Sequence, residues 1–415
     1  MRDYLAKTEK YLTAKLIPFW AARIAEPKYG GFQTNYDRNG KRTSVTEKTM
    51  LCQGRSIFTL SHALRLGYDW DGSRRTIDQG IEFLFRFFKD YQYDGYYWIV
   101  EEDGRPKDMS KVIYGHSFLI YALSEYAILT GDERCRREAC HLFELLMAKA
   151  ADIRYGGFFE HFDREFRLVS VRPNGELHKS LDTHMHLMEA FTTLYELTRD
   201  PRHRQALEQL TGLIFDRMVD RELGVGVAMF TPDWTPIPNL QLATVWGSDR
   251  FAKIKPPEIT SYGHNIELAW LYLYSLDVLG RPREEGRPHV LPIFEHTYAH
   301  GVDWEFGGLY TEGHRKQGVT ETNKEFWQQA EALVGFLDAY LMTKDVKYIE
   351  AFKNVHDFVF GKMINWEQGE WFPLLDREGK VIWDYMGHNW KICYHTMRSM
   401  LLVVEKLRAI VNGQA

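Results

Sequence analysis

Two hydrophobic periods alternate along this chain of 415 residues. Stretches whose apolar residues recur every three or four positions predict helices. Between them lie short segments where aromatic or β-branched residues alternate with polar ones, as in a half-buried strand. The second kind is clearest in YGGFFEHFDREFRLV (155–169). It has glycines that can take φ > 0, an alternating strand, an Asp-led turn and a second strand. The same phrase returns at YGGFQTNYDRNGK (29–41), YDGYYWIVEEDGRP (93–106), LGVGVAMFTPDWTP (223–236), FGGLYTEGHRKQG (306–318) and QGEWFPLLDREGK (368–380). The spacing is roughly 62–68 residues, with about 84 before the fifth copy, and such a period indicates repeated architecture.

Two helical stretches follow each of the first five hairpins. After the second, for example, come SKVIYGHSFLIYALSEYAILTG and DERCRREACHLFELLMAKA. One more helix precedes the first hairpin, at about 2–25, and one follows the last, at about 388–411. Twelve helices with the two terminal ones unpaired predict an all-α fold, a closed (α/α)6 barrel. Residues 1–415 then form a single domain with six inner helices, six outer helices and hairpins at one mouth. An open array of helical repeats is the competing arrangement. The first helix after each hairpin carries fewer charges than the second, as an inner ring covered by an outer one should. The irregular insertion PDWTPIPNLQLATVWGSDRFAKIKPPEIT (232–260) stretches the fourth period and reads as a lid, a specificity loop or a plain surface loop.

Composition narrows the partners. A net charge of −5 with 26% charged residues gives no basic surface for nucleic acid or an anionic membrane. The beginning of the chain lacks the apolar core of a leader peptide, and no apolar run reaches membrane-spanning length. The four cysteines, Cys52, Cys135, Cys140 and Cys393, form no CxxC pair and are expected as free thiols in a cytoplasmic protein. Aromatic residues make up 14%, a content that suits both a large core and a carbohydrate site.

Early in each inner helix stands a residue that packing alone would not choose. These are Arg55; Tyr114 and His116; Asp182, His184 and His186; His264 and Glu267; Trp327 and Glu331; Trp390 and His395. In a barrel the equivalent turns face one mouth, so the groups converge on one cavity. His264 and Glu267 share a helix face, an arrangement in which the carboxylate can fix the imidazole tautomer. His184 and His186 point in different directions, so at most one faces the cavity. Three chemistries compete. His264 and Glu267 could begin a metal site, although no HExxH or third adjacent ligand accompanies them, and no metal is expected. Glu267 and Glu331 could serve as the two carboxylates of a glycosidase. His264 and His395 could move a proton next to a carbonyl, with Arg55 as the cation for the resulting oxyanion.

The pieces YGHNIELAW, FWQQAEALVGFLDAY, GEWF and WKICYHTMR, supported by YYWIV, FLIYALSEY and DTHMHLMEAF, resemble the N-acylglucosamine 2-epimerase and cellobiose 2-epimerase superfamily over essentially the whole chain. The resemblance implies an (α/α)6 barrel and a reaction without cofactor at C2 of an opened aldose. It implies His264 and His395 as the acid/base pair, His186 and Arg55 on the oxygens, and Tyr114 on the sugar. Glu267 and Glu331 would orient the histidines, and Trp327 and Trp390 would stack on sugar rings. Asp182 stands where cellobiose-type members have Asn, Phe326 replaces the first of their paired Trp, and Trp390 matches their pattern. The QGR context of Arg55 is instead closer to the N-acylglucosamine type. The expected activity is therefore a sugar 2-epimerase of the cellobiose or mannose/glucose kind. An aldose–ketose isomerase or N-acylglucosamine 2-epimerase on the same scaffold are the alternatives, and a non-catalytic carbohydrate-binding protein is a third. The expected partner is a mono- or disaccharide with a free reducing end, and the expected assembly a monomer or homodimer.

Overall fold

A computed structural model describes residues 1–240 and 254–413, so part of the 232–260 insertion lies outside the described residues. Six helices form an inner ring: α3 (Met50–Arg65), α5 (Ile113–Thr130), α7 (Leu181–Thr198), α9 (Tyr262–Leu279), α11 (Phe326–Thr343) and α13 (Cys393–Val411). Each packs on the next, and α13 packs back on α3, so the ring is closed rather than an open array. The outer ring is α4 (Ser73–Phe83), α6 (Glu133–Lys149), α8 (Pro201–Leu213), α10 (Arg287–His296), α12 (Val346–Phe358) and the N-terminal rod. That rod is α1 (Arg2–Tyr11) joined through a π-helical turn, Leu12–Leu16, to α2 (Ile17–Ala21). α1 packs on α13, so the two terminal helices complete the sixth pair. The inner helices are buried nearly all round, whereas the outer ones bury one face, which is the division their charge content implies.

Side-chain caps set where the helices begin. Thr49, Ser180 and Ser261 accept the N–H of Cys52, Thr183 and His264 ahead of α3, α7 and α9. Asp132, Asp200 and Asp345 do the same for the outer helices α6, α8 and α12.

The hairpins are shorter than the sequence pattern suggests, because their strands serve the joints between repeats. The two or three residues ahead of an inner helix pair antiparallel with the hairpin of the next repeat. Lys48–Thr49 pairs with Ile99–Val100, Lys111–Val112 with His161–Phe162, and Lys324–Glu325 with Leu374–Leu375. A bridge between Tyr36 and Gly387 makes the last joint and closes the circle. A buried lysine stands at five of the six joints. Lys48, Lys111, Lys179, Lys324 and Lys391 pair with Glu26, Asp90, Asp152, Asp303 and Glu370 at 2.7–3.5 Å.

Five residues beyond the joint, a polar side chain reaches out of the barrel to hold the turn that follows the outer helix. Gln53 accepts the Phe32 N–H at 2.8 Å, Asn265 that of Gly226 at 2.8 Å and Gln329 that of Leu309 at 2.6 Å. His116 and His184 are members of this set. Their Nε2 atoms accept the N–H groups of Tyr96 at 3.0 Å and Phe158 at 2.9 Å. Their Nδ1–H groups donate to the carbonyls of Val112 and Ser180. Burial pushes both pKa values down to about 4, which keeps the accepting lone pair free. Gly157 shows how tight the clamp is: its φ is +75°, and a Cβ there would lie 2.6 Å from His184 Nε2. The four cysteines are free thiols.

His184→Leu should strand the buried Phe158 N–H and cost about 1–3 kcal/mol of stability, whereas His184→Gln, which copies Gln53, should cost much less. Denaturant unfolding of the two variants makes the comparison; equal stabilities would show that the clamp carries no weight.

Candidate active site

Two residues past the hairpin clamp, the inner helices turn to the barrel axis. Arg55, Phe118, His186, Glu267, Glu331 and Arg398 occupy this one equivalent position, each seven residues beyond Lys48, Lys111, Lys179, Thr260, Lys324 and Lys391. Five of the six are polar, and all six are buried. Arg398, 1% exposed, is the hub. Its Nη2 donates to Glu267 at 3.0 Å and to Glu331 at 2.8 Å, and its Nη1 donates to Glu189 and to the Tyr394 hydroxyl. Its guanidinium also lies 4.1 Å from the Tyr394 ring and 5.0 Å from that of Trp270.

From this hub the network reaches three histidines. Glu331 Oε1 accepts the His395 Nδ1–H at 2.6 Å, and its Oε2 accepts the Trp270 N–H at 2.9 Å. With Nδ1 committed to the carboxylate, His395 Nε2 is left with the lone pair. Burial, with Arg55 and Arg398 nearby, pushes the His395 pKa well down, so the imidazole is neutral. On the other side Glu189 accepts the Tyr394 hydroxyl at 2.8 Å and the His186 Nδ1–H at 2.9 Å. His186 Nε2 lies 3.4 Å from Asp182 Oδ1. Burial alone would discharge His186, but the carboxylates of Asp182 and Glu189 beside it raise its pKa to about 9, so it is an imidazolium at neutral pH. His264 Nε2 lies 3.6 Å from the same Asp182 oxygen, too far for a hydrogen bond. Burial lowers the His264 pKa despite the attraction of Asp182.

The charges nearly cancel. Burial and the nearness of Glu331 raise the Glu267 pKa, which favours its neutral form. Asp182 goes the other way: burial opposes ionisation, yet His264 and His186 hold its pKa at about 2. Asp182, Glu189 and Glu331 then face three cations, Arg55, His186 and Arg398.

Every residue singled out from the sequence belongs to this cluster of ion pairs, hydrogen bonds and ring contacts except His116 and His184, which hold turns instead. Arg55 Nη2 donates to the Tyr114 hydroxyl at 2.8 Å, and its guanidinium lies 4.3 Å from the Phe118 ring. Trp390 precedes α13 rather than lying on it; its carbonyl accepts from Arg55 at 3.4 Å, and its ring meets Tyr114 edge-on at 5.9 Å. Trp327 touches both outlying histidines, with ring centroids 4.6 Å from His264 and 5.7 Å from His395. One expected pairing differs. Glu267 turns to Arg398 rather than to His264, although it shares the His264 helix, because the buried guanidinium supplies the stronger partner. Glu267 and Glu331 bind the same guanidinium nitrogen, so neither is free to act as the acid or nucleophile of a glycosidase. Arg398, Glu189 and Tyr394 were not singled out from the sequence. The signal for Arg398 was its repeat register with Arg55 and His186.

Arg398→Met should destabilise the fold by about 3–5 kcal/mol, the cost of stranding buried charge, and adding Glu189→Gln should restore part of that loss. Denaturant unfolding of the single and double variants decides it, and a single variant as stable as the parent would show that the carboxylates need no cation.

The chain is 28% identical to a cellobiose 2-epimerase of Ruminococcus albus, over 97% of this chain and 98% of that protein. It is 25% identical to the N-acylglucosamine 2-epimerase of Bos taurus, over 97% of this chain and 90% of that one. The solved cellobiose 2-epimerase of Bacillus thermoamylovorans superposes with a TM-score of 0.87 at 26% identity, covering 98% of this chain and all of that one. Residues 30–399 match the model of the N-acylglucosamine 2-epimerase (GlcNAc 2-epimerase) family, and the chain belongs to that family.

Proposed function

We propose that this protein is a sugar 2-epimerase, an isomerase that interconverts gluco and manno configurations at C2 of an aldose with a free reducing end. The observation that carries this reading is a pair of neutral imidazoles on separate inner helices. His264 and His395 both contact Trp327, and the His186 imidazolium lies in the same hydrogen-bonded and ion-paired chain.

In the open-chain sugar the C1 carbonyl acidifies the C2 proton. His395, held by Glu331 with Nε2 unprotonated, removes that proton and leaves a cis-enediolate. The negative charge falls on O1 and O2, where His186 and Arg55 donate hydrogen bonds in a site shielded from water. Rotation about C2–C3 presents the other face, and His264, which takes up a solvent proton beside the new negative charge, delivers it to C2. His395 releases to solvent the proton it removed, so both imidazoles end neutral and ready for the reverse reaction. The scheme uses no cofactor. Tyr114, Asp182 and Trp390 contact the sugar. Asp182 Oδ1, buried and without a hydrogen-bond partner in the protein, is an acceptor suited to a sugar hydroxyl.

A mannose-configured sugar should yield mainly the gluco epimer, deuterated at C2 in heavy water, with ketose a minor product. His264→Ala and His395→Ala should each slow turnover by about 10²–10⁴-fold, the usual worth of a positioned acid or base. Chromatography with proton NMR checks both. A ketose that dominates from the first turnovers would replace the epimerase by an aldose–ketose isomerase, whose donor stands over C1. Undiminished turnover in either variant would remove the two-base scheme.

The alkaline limb of kcat/KM should follow His186. Its raised pKa means that the cation is present below about 9 and lost as pH rises through that value. Asp182→Asn removes one carboxylate that supports this charge, so the limb should move to lower pH. A limb unmoved by that substitution would assign the alkaline loss to another group.

A further inference from the structure

Glu160, His161 and His178 form a second polar cluster, outside the chain of ion pairs at the barrel axis. Glu160 and His161 lie on the hairpin of the third repeat, where His161 pairs with Val112. His178 immediately precedes the Lys179–Ser180 strand that leads into α7. Glu160 is 7% exposed and His178 6%. His178 Nε2 stands 3.6 Å and His161 Nε2 4.0 Å from Glu160 Oε2, both beyond hydrogen-bond range. Glu160 Oε1 is buried with no partner. No lysine or arginine nitrogen among the described residues lies within 4.0 Å of this carboxylate.

That makes Glu160 an exception. Glu26, Asp90, Asp152, Asp303 and Glu370 each hold a buried lysine. A buried carboxylate without a cation is costly, and two imidazoles around it with nitrogens facing the same oxygen are donors waiting for one. The candidate ligand atoms all lie within 4.8 Å of one another. Bonds of about 2.0–2.2 Å at tetrahedral angles would place them roughly 3.3 Å apart, so binding would draw the three side chains together.

We propose that Glu160, His161 and His178 bind one divalent transition-metal ion. Two imidazoles and a carboxylate suit zinc or cobalt rather than magnesium or calcium, and three protein ligands leave a fourth position for water. The ion ties the third hairpin to the entry of α7, the helix that carries Asp182 and His186. The other trio of this spacing, Glu267, Glu331 and His395, does not compete, because the Arg398 guanidinium already neutralises it.

The test strips the full-length protein with a chelator, then titrates it with Zn²⁺ and Co²⁺ and reads metal content and the visible absorption of the cobalt form. One ion per chain is expected, with a cobalt spectrum of low coordination number. Loss of an outer-shell partner costs about 10–100-fold in metal affinity, so removing a ligand in His161→Ala or His178→Ala should weaken binding by at least about 100-fold. His395→Ala should bind as the parent does. Melting curves confirm that each variant is folded, and Glu160→Gln replaces any histidine variant that is not. Failure of the parent to retain an ion overturns the proposal. So does binding unchanged in both histidine variants, or binding lost only in His395→Ala. Because the readout is metal content, results at Glu160, His161 and His178 leave the epimerase reading untouched; only binding lost in His395→Ala alone would reach the proposed base.

Discussion

The candidate active site depends on one buried cation. Arg398 projects from the last inner helix into the barrel axis and binds carboxylates from three others, Glu189 on α7, Glu267 on α9 and Glu331 on α11. Three acids this close, out of water, repel one another, and even with the guanidinium present burial and Glu331 push Glu267 toward its neutral form. The guanidinium keeps Glu331 available as the acceptor for His395 Nδ1–H, and so leaves the other imidazole nitrogen as a base. Through Glu189 it also helps to fix the ring whose charge the proposed chemistry uses, His186. A single desolvated charge thus places one histidine neutral and another protonated within the same cavity.

This economy comes from the repeat. Each inner helix offers the same two functional registers, five and seven residues past the joint with the preceding strand. The first register faces outward to a backbone N–H of the neighbouring turn, and the second faces the axis. A histidine means different things in the two. His184 is a clamp interchangeable in role with Gln53, Asn265 and Gln329, whereas His186, two residues later, is a charged member of the site. Helical geometry alone makes the difference, since a shift of two residues turns a side chain to nearly the opposite face.

Much of this was legible in the sequence. The six hairpin phrases and twelve apolar-periodic stretches were enough to close the ring, because a terminal helix at each end with no partner of its own implies a sixth pair. The convergence of Arg55, His186, His264, Glu331 and His395 also follows from their place early in the inner helices. The sequence does not disclose which carboxylate serves which imidazole. Glu267 lies three residues from His264 and yet binds Arg398, while Glu331 orients a histidine on the next helix. Pairing across helices depends on rotation about the barrel axis, which no spacing within one helix encodes. Arg398 escaped for a related reason: an arginine five residues from the start of an apolar helix reads as surface charge until the register with Arg55 and His186 is drawn around the whole ring.

The placement of Trp327 bears on what the cavity accepts. An indole against both His264 and His395 is committed to shaping the space between the two imidazoles, near the reacting carbon of the proposed scheme. It is therefore less available as a platform for a second sugar. That task falls to Trp390, which sits outside the helix, beside Tyr114, where its backbone is also tied to Arg55. A sugar ring beyond the reducing end would then lean on a loop residue whose carbonyl is tied to Arg55, the arginine that the proposed scheme places on the reacting oxygens. Chain length and chemistry would be read by neighbouring groups, and a change in one would disturb the other through Arg55.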